Sequence, residues 1–346
     1  MNDSDQVQLL RKRRIAPALA LWLIAPIFGE MVSGSTPLNE YISPFSILIL
    51  GMLYGSGALL IRELLIRWGK NWRSLLLLGM AYGIYEEGLM VRSFSDPGWM
   101  DLGALAVYGR AAGVNWVWTE HLTVFHAVIS IAASIVFVEI LYSDKRTESW
   151  IGSRGLTWNT IAFAAALPIG ALLNAKHDAP DAWLGMWWLA IALLVLAAWR
   201  TSTADKEAPF ASVPRPWRFW WTGFLAAFGH IFIVYYTSEE SRPPFILSML
   251  VIALFDLFIL WLILRWSGNA QGWDDRHRLA LINGTLSLFL ILTPLTTNGQ
   301  YPSMYFSNPI LLVLLWWVAR KVDRRVNAEH PPRAAITRPA DVTFQP

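Results

Sequence analysis

The chain contains no cysteine, which removes disulfide staples, thiolate nucleophiles and cysteine-ligated metals from the chemistry open to it. Charge is also scarce. Asp, Glu, Lys and Arg make up 15% of the 346 residues, where a soluble domain carries about 25%. A phosphate-binding P-loop, a dinucleotide fingerprint and a His-Glu-x-x-His motif are all missing from the sequence, so the chemistries they serve have no basis here. No connection between apolar runs is long enough to be a separate domain. The formal charge of +3 forms no basic patch, and a nucleic-acid partner is not expected.

What is present is apolar sequence, 55% of the chain. A bilayer core of about 30 Å takes about 20 apolar residues per helix. Ten runs fit that requirement, near 15–34, 42–64, 74–91, 114–142, 159–175, 181–199, 216–237, 243–264, 279–295 and 304–319. They are too long for strands and show no alternation, and an open sheet cannot satisfy its backbone in lipid. The first run follows a polar, then basic, start and has no cleavage site, so it reads as an uncleaved span. The expected fold is therefore all-α: a polytopic integral membrane protein of about ten transmembrane helices in a single domain, 1–325. Residues 326–346, rich in Pro, Ala and charge, read as a disordered cytoplasmic tail.

The Lys and Arg residues orient this map. With the first residues inside, 24 of the 28 fall in cytoplasmic segments, and Arg92, Arg110, Lys176 and Arg242 fall outside. The bias predicts both termini in the cytoplasm and a cell (plasma or inner) membrane location. Tryptophans agree. Trp68, Trp72, Trp150, Trp217 and Trp266 sit at the inner boundary and Trp99, Trp116 and Trp118 near the outer one, where amphipathic rings anchor. The longest outer connection, about 92–113, reads as a short lid or re-entrant turn.

Ionisable residues inside a span cost about 2.5–3.5 kcal/mol even on the permissive insertion scale. The candidates are Glu30, Glu86, Glu87, Glu120, His121, His126, Glu139, His230 and Asp256. Glu86 and Glu87 lie about 6–9 Å below the outer end of the third span at ~1.5 Å per residue. Gly79, Tyr82 and Gly83 share the Glu86 face and let another helix or a substrate approach. A pair of carboxyls at that depth suits a general base beside a neutral acid. His126 belongs to a polar stripe with Asn115, Thr119 and Ser130. His121 lies about 140° around from it and nearer the surface, beside Glu120. His230 follows Gly223, Ala226 and Ala227 on a small-residue face. Glu30 and Asn174 also fall in outer halves of their helices, so several spans place polar groups in one layer. Asp256 lies deeper, with Asn283 as its expected partner, and Glu139 reads as solvated at the inner boundary. A weak echo links Tyr85-Glu86-Glu87 with the segment from Tyr236 to Glu239-Glu240.

An adjacent Glu pair on one membrane helix, with His residues on two later ones, resembles the superfamily of CAAX-protease and bacteriocin-processing intramembrane peptidases, which includes the gamma-secretase scaffold subunit. Its motifs are Glu-Glu-x-x-x-Arg, Phe-x-x-x-His and His-x-x-x-Asn/Asp. Glu86-Glu87 matches the first, with Val91 in the Arg position and Arg92 one residue late. Leu122 stands where Phe precedes His126, and Val234 where Asn or Asp follows His230. The resemblance implies a membrane-embedded hydrolase, an intramembrane glutamic peptidase whose catalytic residues are Glu86, Glu87, His126 and His230. Tyr82, Arg92, His121, Glu30 and Asn174 would support them. The partners expected are the lipid bilayer and a membrane peptide or lipid-linked substrate. No cofactor is expected; a zinc ion on Glu86, His126 and His230 is the alternative. Competing classes are a proton-coupled transporter and a non-catalytic assembly scaffold. A polyprenyl-dependent glycosyltransferase would need a large first outer loop, and here that loop is Ser35 to Tyr41.

Overall fold

The computed structural model describes residues 15–100, 102–174, 181–202, 213–268, 272–296 and 301–329. Among these residues the chain forms ten helical rods. They are α1 Pro17–Met31, α2 Pro44–Trp68, α3 (Trp72–Ile84 continued by Tyr85–Met90), α4 Trp116–Leu141, α5 Ser153–Leu173, α6 Leu184–Arg200, α7 Pro216–Ser241, α8 Phe245–Ser267, α9 Asp275–Thr296 and α10 Met304–Glu329. Six of them (α2, α4, α5, α7, α8 and α9) are long and apolar enough to cross a membrane. The protein is thus a helical, multi-pass membrane protein. Its outward faces carry the composition lipid requires: on α8, Leu250, Leu254, Leu257, Phe258 and Trp261 are all exposed. The last rod runs to Glu329, past the expected start of a disordered tail at 326. The rest of that tail lies outside the described residues, as do the first fourteen residues and Lys176.

Local sequence accounts for the ends of the rods. Pro44 and Pro216 open α2 and α7 at positions where a missing N–H costs nothing. Asn71 and Asn115 cap α3 and α4 by accepting from the backbone N–H of Arg73 and Trp118. Gly69 closes α2 in a left-handed conformation, φ 61°. Five of the rods pass from α to π geometry: Ile27–Met31 in α1, Gly51–Gly55 in α2, Tyr85–Met90 in α3, His126–Ala133 in α4 and Thr237–Ser241 in α7. The Gly79 face of α3 is used as its composition suggests. A Cβ built on Gly79 would lie 2.8 Å from the Ala127 Cα, and one on Gly83 3.1 Å from the His126 Cβ. α3 and α4 therefore meet backbone to backbone beside His126.

At one end of the bundle Arg62 is fully buried. It pairs with Glu63 at 2.9 Å and Glu139 at 3.5 Å, donates to the Arg146 carbonyl at 2.9 Å, and stacks on Trp150. Asp275 ties Arg146 and Arg325, both at 2.6 Å. Glu139, expected to be solvated, is instead part of this network, because Arg62 reaches it from the neighbouring helix. At the other end the 92–115 connection packs inward, with Phe94, Leu102 and Leu105 fully buried. It is more structured than a plain turn. A 3-10 turn, Gly103–Ala106, precedes a two-residue hairpin of β1 Arg110–Ala111 and β2 Val114–Asn115. Arg110 fastens the connection by donating to the Ala106 and Asp96 carbonyls, each at 2.7 Å.

A Gly79→Leu substitution forces side-chain atoms into the α4 backbone and should destabilise the fold by about 1–3 kcal/mol, as overpacking does. Gly152→Ala, where a Cβ meets nothing within 4 Å, should leave it unchanged. Chemical unfolding in mixed micelles reads both.

Candidate functional site

The π segments of α1 to α4 bring their polar residues to one place. Glu30 comes from α1, Tyr54 from α2, Glu86 and Glu87 from α3, and His126 from α4. A π turn adds a residue to the helix and re-aims the side chains that follow, which is why such turns concentrate at functional sites. His126 stands between the two carboxylates. Its Nε2 lies 3.0 Å from Glu87 Oε1 and its Nδ1 3.4 Å from Glu86 Oε2. Exposure is 2% for His126, 4% for Glu86 and 8% for Glu87. Nδ1 also lies 3.1 Å from Ser130 Oγ, the helical neighbour one turn on.

Each carboxylate is held from behind. Ser93 donates to Glu87 Oε2, and Trp118 Nε1 donates to Ser93 Oγ at 3.1 Å. Tyr54 is bonded to Glu86 Oε1 and, at 2.6 Å, to Glu30 Oε1, while Thr36 donates to Glu30 Oε2 at 2.7 Å. A hydroxyl has one proton. Both Tyr54 bonds therefore exist together only when one of the two carboxyls carries a proton and donates back. Tyr82 packs its ring 5.9 Å from the His126 ring and brings its hydroxyl to Glu86. The Tyr82 hydroxyl and Glu86 Oε2 are both buried and neither makes a well-aligned hydrogen bond; beside Glu86 Oε2 stands only His126 Nδ1, at 3.4 Å.

The structure brings Glu86, Glu87, His126, Tyr82 and Glu30 together. It takes His230 elsewhere, a correction to the expected four-residue cavity. His230 Nε2 lies 2.9 Å from His121 Nδ1, and its Nδ1 lies 3.0 Å from both oxygens of Asp256. Both ring nitrogens are committed, so none is left for the Glu pair. The physical reason is the reach of α8, which places Asp256 against α7 and supplies the anion that His230 needs. Asp256 thus has His230 for its partner in place of the expected Asn283, which donates to the Leu315 carbonyl. His121, expected near the surface, is buried at the centre of this second cluster. Asn174 does not join either group. Its side chain donates to the Gly170 carbonyl at 2.8 Å and closes its own helix. Arg92 takes a left-handed backbone, φ 60°, just past α3, and its carbonyl accepts from the Ser95 and Asp96 N–H groups. The echo at Glu239 and Glu240 extends to geometry, since Thr237–Ser241 is also π-helical, but those two carboxylates are exposed.

Tyr54, Ser93 and Trp118 were not legible as site residues. Tyr54 had a signal in its flanks, Gly51 and Gly55, which mark a polar ring in a closely packed apolar run. Ser93 and Trp118 had none, because the 92–115 connection brings them in by tertiary packing.

Glu86, Glu87 and His126 can each offer a ligand atom with all three within 4.8 Å of one another. The donor set that fits a metal therefore contains Glu87 in the place expected for His230.

Together these features define a multi-pass helical membrane protein with a buried Glu–Glu–His centre closed over by a packed loop. The chain belongs to a family described as an uncharacterized membrane protein family, whose profile matches residues 19–335. No curated protein and no solved structure matches it.

Ser93→Ala removes the donor to Glu87 and the acceptor of Trp118 together. It should cost about 1–3 kcal/mol, the range for stranding buried polar groups. Asn174→Ala should cost less than about 1 kcal/mol, as loss of a local bond does. Unfolding midpoints in a common detergent compare the two.

Proposed function

We propose that this protein is a membrane-embedded hydrolase, an intramembrane glutamic-type peptidase acting on a membrane peptide. The observation that carries the reading is the buried His126 standing between Glu86 and Glu87 while Glu86 Oε2 and the Tyr82 hydroxyl lack a well-aligned hydrogen bond. Buried carboxylates in a membrane domain are costly unless compensated, and an unsatisfied one in such a centre marks a place for a reacting molecule.

In the reaction a water beside Glu86 gives its proton to Oε2 as its oxygen attacks the peptide carbonyl carbon. The carbonyl oxygen becomes an oxyanion and accepts from the Tyr82 hydroxyl. The C–N bond then breaks, the Glu86 proton passes to the leaving nitrogen, and a carboxyl and an amine result. His126 and Glu87 hold the geometry and offset charge. The superfamily resemblance carried by Glu86-Glu87 supports the same class, with Tyr82 as the oxyanion donor.

A second reading, a proton-coupled carrier, is favoured by a different observation. The Asp256–His230–His121 chain has both histidines buried and Asp256 half-buried, spans three helices and takes no part in the peptidase steps. Hydrogen-bonded carboxylate and histidine chains in membranes relay protons. An assembly scaffold remains the outcome if neither activity depends on Glu86.

Proteoliposomes given single-span peptides in water enriched in oxygen-18 should yield new carboxyl termini carrying the label. Glu86→Gln should slow their formation by about 10²–10⁴-fold, the worth of a general base. Label incorporation unchanged in Glu86→Gln would remove Glu86 as the base, and label absent from the wild type while a pH gradient drives solute flux would favour the carrier.

The topology belongs to the same proposal. All ten rods cross the bilayer of the cell membrane with both termini cytoplasmic, and the Arg62–Asp275 network lies at the cytoplasmic end. The positive-inside bias supports this. α1 and α6, at 15 and 17 residues, are short for a span of about 20, and their loops complete the distance. Because the chain lacks cysteine, single-cysteine variants report cleanly. A cysteine at exposed Ser35 should react with an impermeant thiol reagent in intact cells, and cysteines at exposed Ser149 and Ser202 should react only after lysis. Labelling at Ser202 before lysis would break the topology.

A further inference from the structure

We propose that Glu86, Glu87 and His126 form a binding site for one divalent first-row metal ion, zinc foremost. The proposal deepens the peptidase reading and rests on it for what the metal does, but not for the binding itself.

The first argument is the way each residue is held. Glu86 has Oε1 bonded to Tyr54 and Oε2 without a well-aligned hydrogen bond. Glu87 has Oε2 bonded to Ser93, and its Oε1 faces His126. His126 has Nδ1 against Ser130 Oγ at 3.1 Å, with Glu86 Oε2 further off at 3.4 Å, and its Nε2 faces Glu87 Oε1. Every member thus has one polar atom fixed from outside and one turned inward. Metal-ligating histidines donate their second N–H in this way and ligating carboxylates are held by further hydrogen bonds, so that the inward atoms are oriented for the ion. The inward atoms come from two adjacent helices whose backbones touch at Gly79 and Gly83, a rigid base for a site.

The second argument is charge. Glu30, Glu86 and Glu87 are joined through Tyr54 and His126, and a single imidazole can supply at most one positive charge against three carboxyls. Among the described residues no Lys or Arg pairs with any of the three. Buried ions need compensation. A divalent ion at the inward carboxylate oxygens would supply that compensation.

The Tyr82 hydroxyl is the independent sign of a ligand. It lies outside the acidic cluster, is 3% exposed, and sits at Glu86 without forming a well-aligned hydrogen bond to any group. A water or substrate oxygen on the ion would satisfy it. Two carboxylates and one imidazole with an open position is the donor set of catalytic zinc, three protein ligands plus water. Its imidazole nitrogen suits zinc better than calcium or magnesium, which prefer oxygen ligands alone. A zinc-bound water has its pKa lowered to about 7, so the ion would supply the nucleophile in the space where the proposed reaction needs it.

The test uses the full chain in nanodiscs, stripped with a chelator, reloaded with zinc or cobalt(II) and passed over a desalting column. The expected result is about one metal ion per chain, with a cobalt spectrum of low-coordinate nitrogen and oxygen ligation. Ser130→Ala leaves the ligands in place and should weaken zinc binding about 10–100-fold in a competition titration, as loss of an outer partner does. Glu87→Gln and His126→Gln should lose stoichiometric binding while staying monodisperse, and Glu148→Gln at the surface should not. Wild-type protein that retains no metal overturns the proposal, as does a metal content unchanged in both Glu87→Gln and His126→Gln. If peptide cleavage persists in the chelated, metal-free protein, the metal proposal falls and the peptidase reading stands. If metal binds at one per chain and no peptide is cut, the reverse holds.

Discussion

A carboxylate in a bilayer must be answered, and the contact between His126 and the adjacent Glu86 and Glu87 is the answer on which this structure turns. Placing either glutamate in hydrocarbon alone costs several kcal/mol. The imidazole at 3.0 and 3.4 Å offsets that cost only if α3 and α4 touch closely, and they do so because Gly79 and Gly83 leave no side chain between them. Ser93, Tyr54 and Thr36 then bond the outer carboxylate oxygens and Trp118 holds Ser93, so the polar centre recruits four helices and two loops. Removing the histidine would leave two buried anions with hydroxyl partners only.

The π turns are the local device that makes this convergence possible. Five rods carry them, and those of α1 to α4 each contain a centre residue. Regular α-helices would spread the same side chains at about 100° per residue along fixed stripes. An inserted residue shifts the stripe and widens the helix, which lets Tyr54 lie between Glu30 and Glu86 and turns Glu87 as well as Glu86 inward. The opposite end of the bundle is built differently. Arg62, Glu63, Glu139, Arg146, Asp275 and Arg325 form ion pairs at the ends of regular helices. Arg62 and Glu63 are fully buried, but the arginines at the edge are about a quarter exposed. That end reads as a clasp between helices, and the π-lined end as the reactive one.

Much of this was legible from residues alone. The ten apolar runs correspond to the ten rods, because the length of a run and the polarity of its flanks are one-dimensional properties. The Glu pair, His126, Tyr82 and Glu30 stood out because ionisable or small residues in an apolar run are costly or conspicuous one at a time. What failed was pairing. His230 and Asn174 met the same criterion of polarity at similar depth, yet one bonds Asp256 and His121 and the other caps its own helix. Depth along a helix can be counted from sequence, but azimuth and neighbour depend on helix order and on π turns that no residue pattern announced. The 92–115 connection was invisible for the same reason, since Phe94, Leu102 and Leu105 look like any loop hydrophobics until they are seen buried over the centre.

The account stands on His126 and Glu87 being energetically coupled in the folded membrane protein. A double-mutant cycle of His126→Asn and Glu87→Gln, followed by reversible unfolding in bicelles, measures that coupling directly. The structure predicts that the two losses are not additive, with an interaction energy between about 0.5 and 3 kcal/mol, the range for contacting residues in one network. Losses that add to within about 0.3 kcal/mol, as for residues that do not touch, would contradict it.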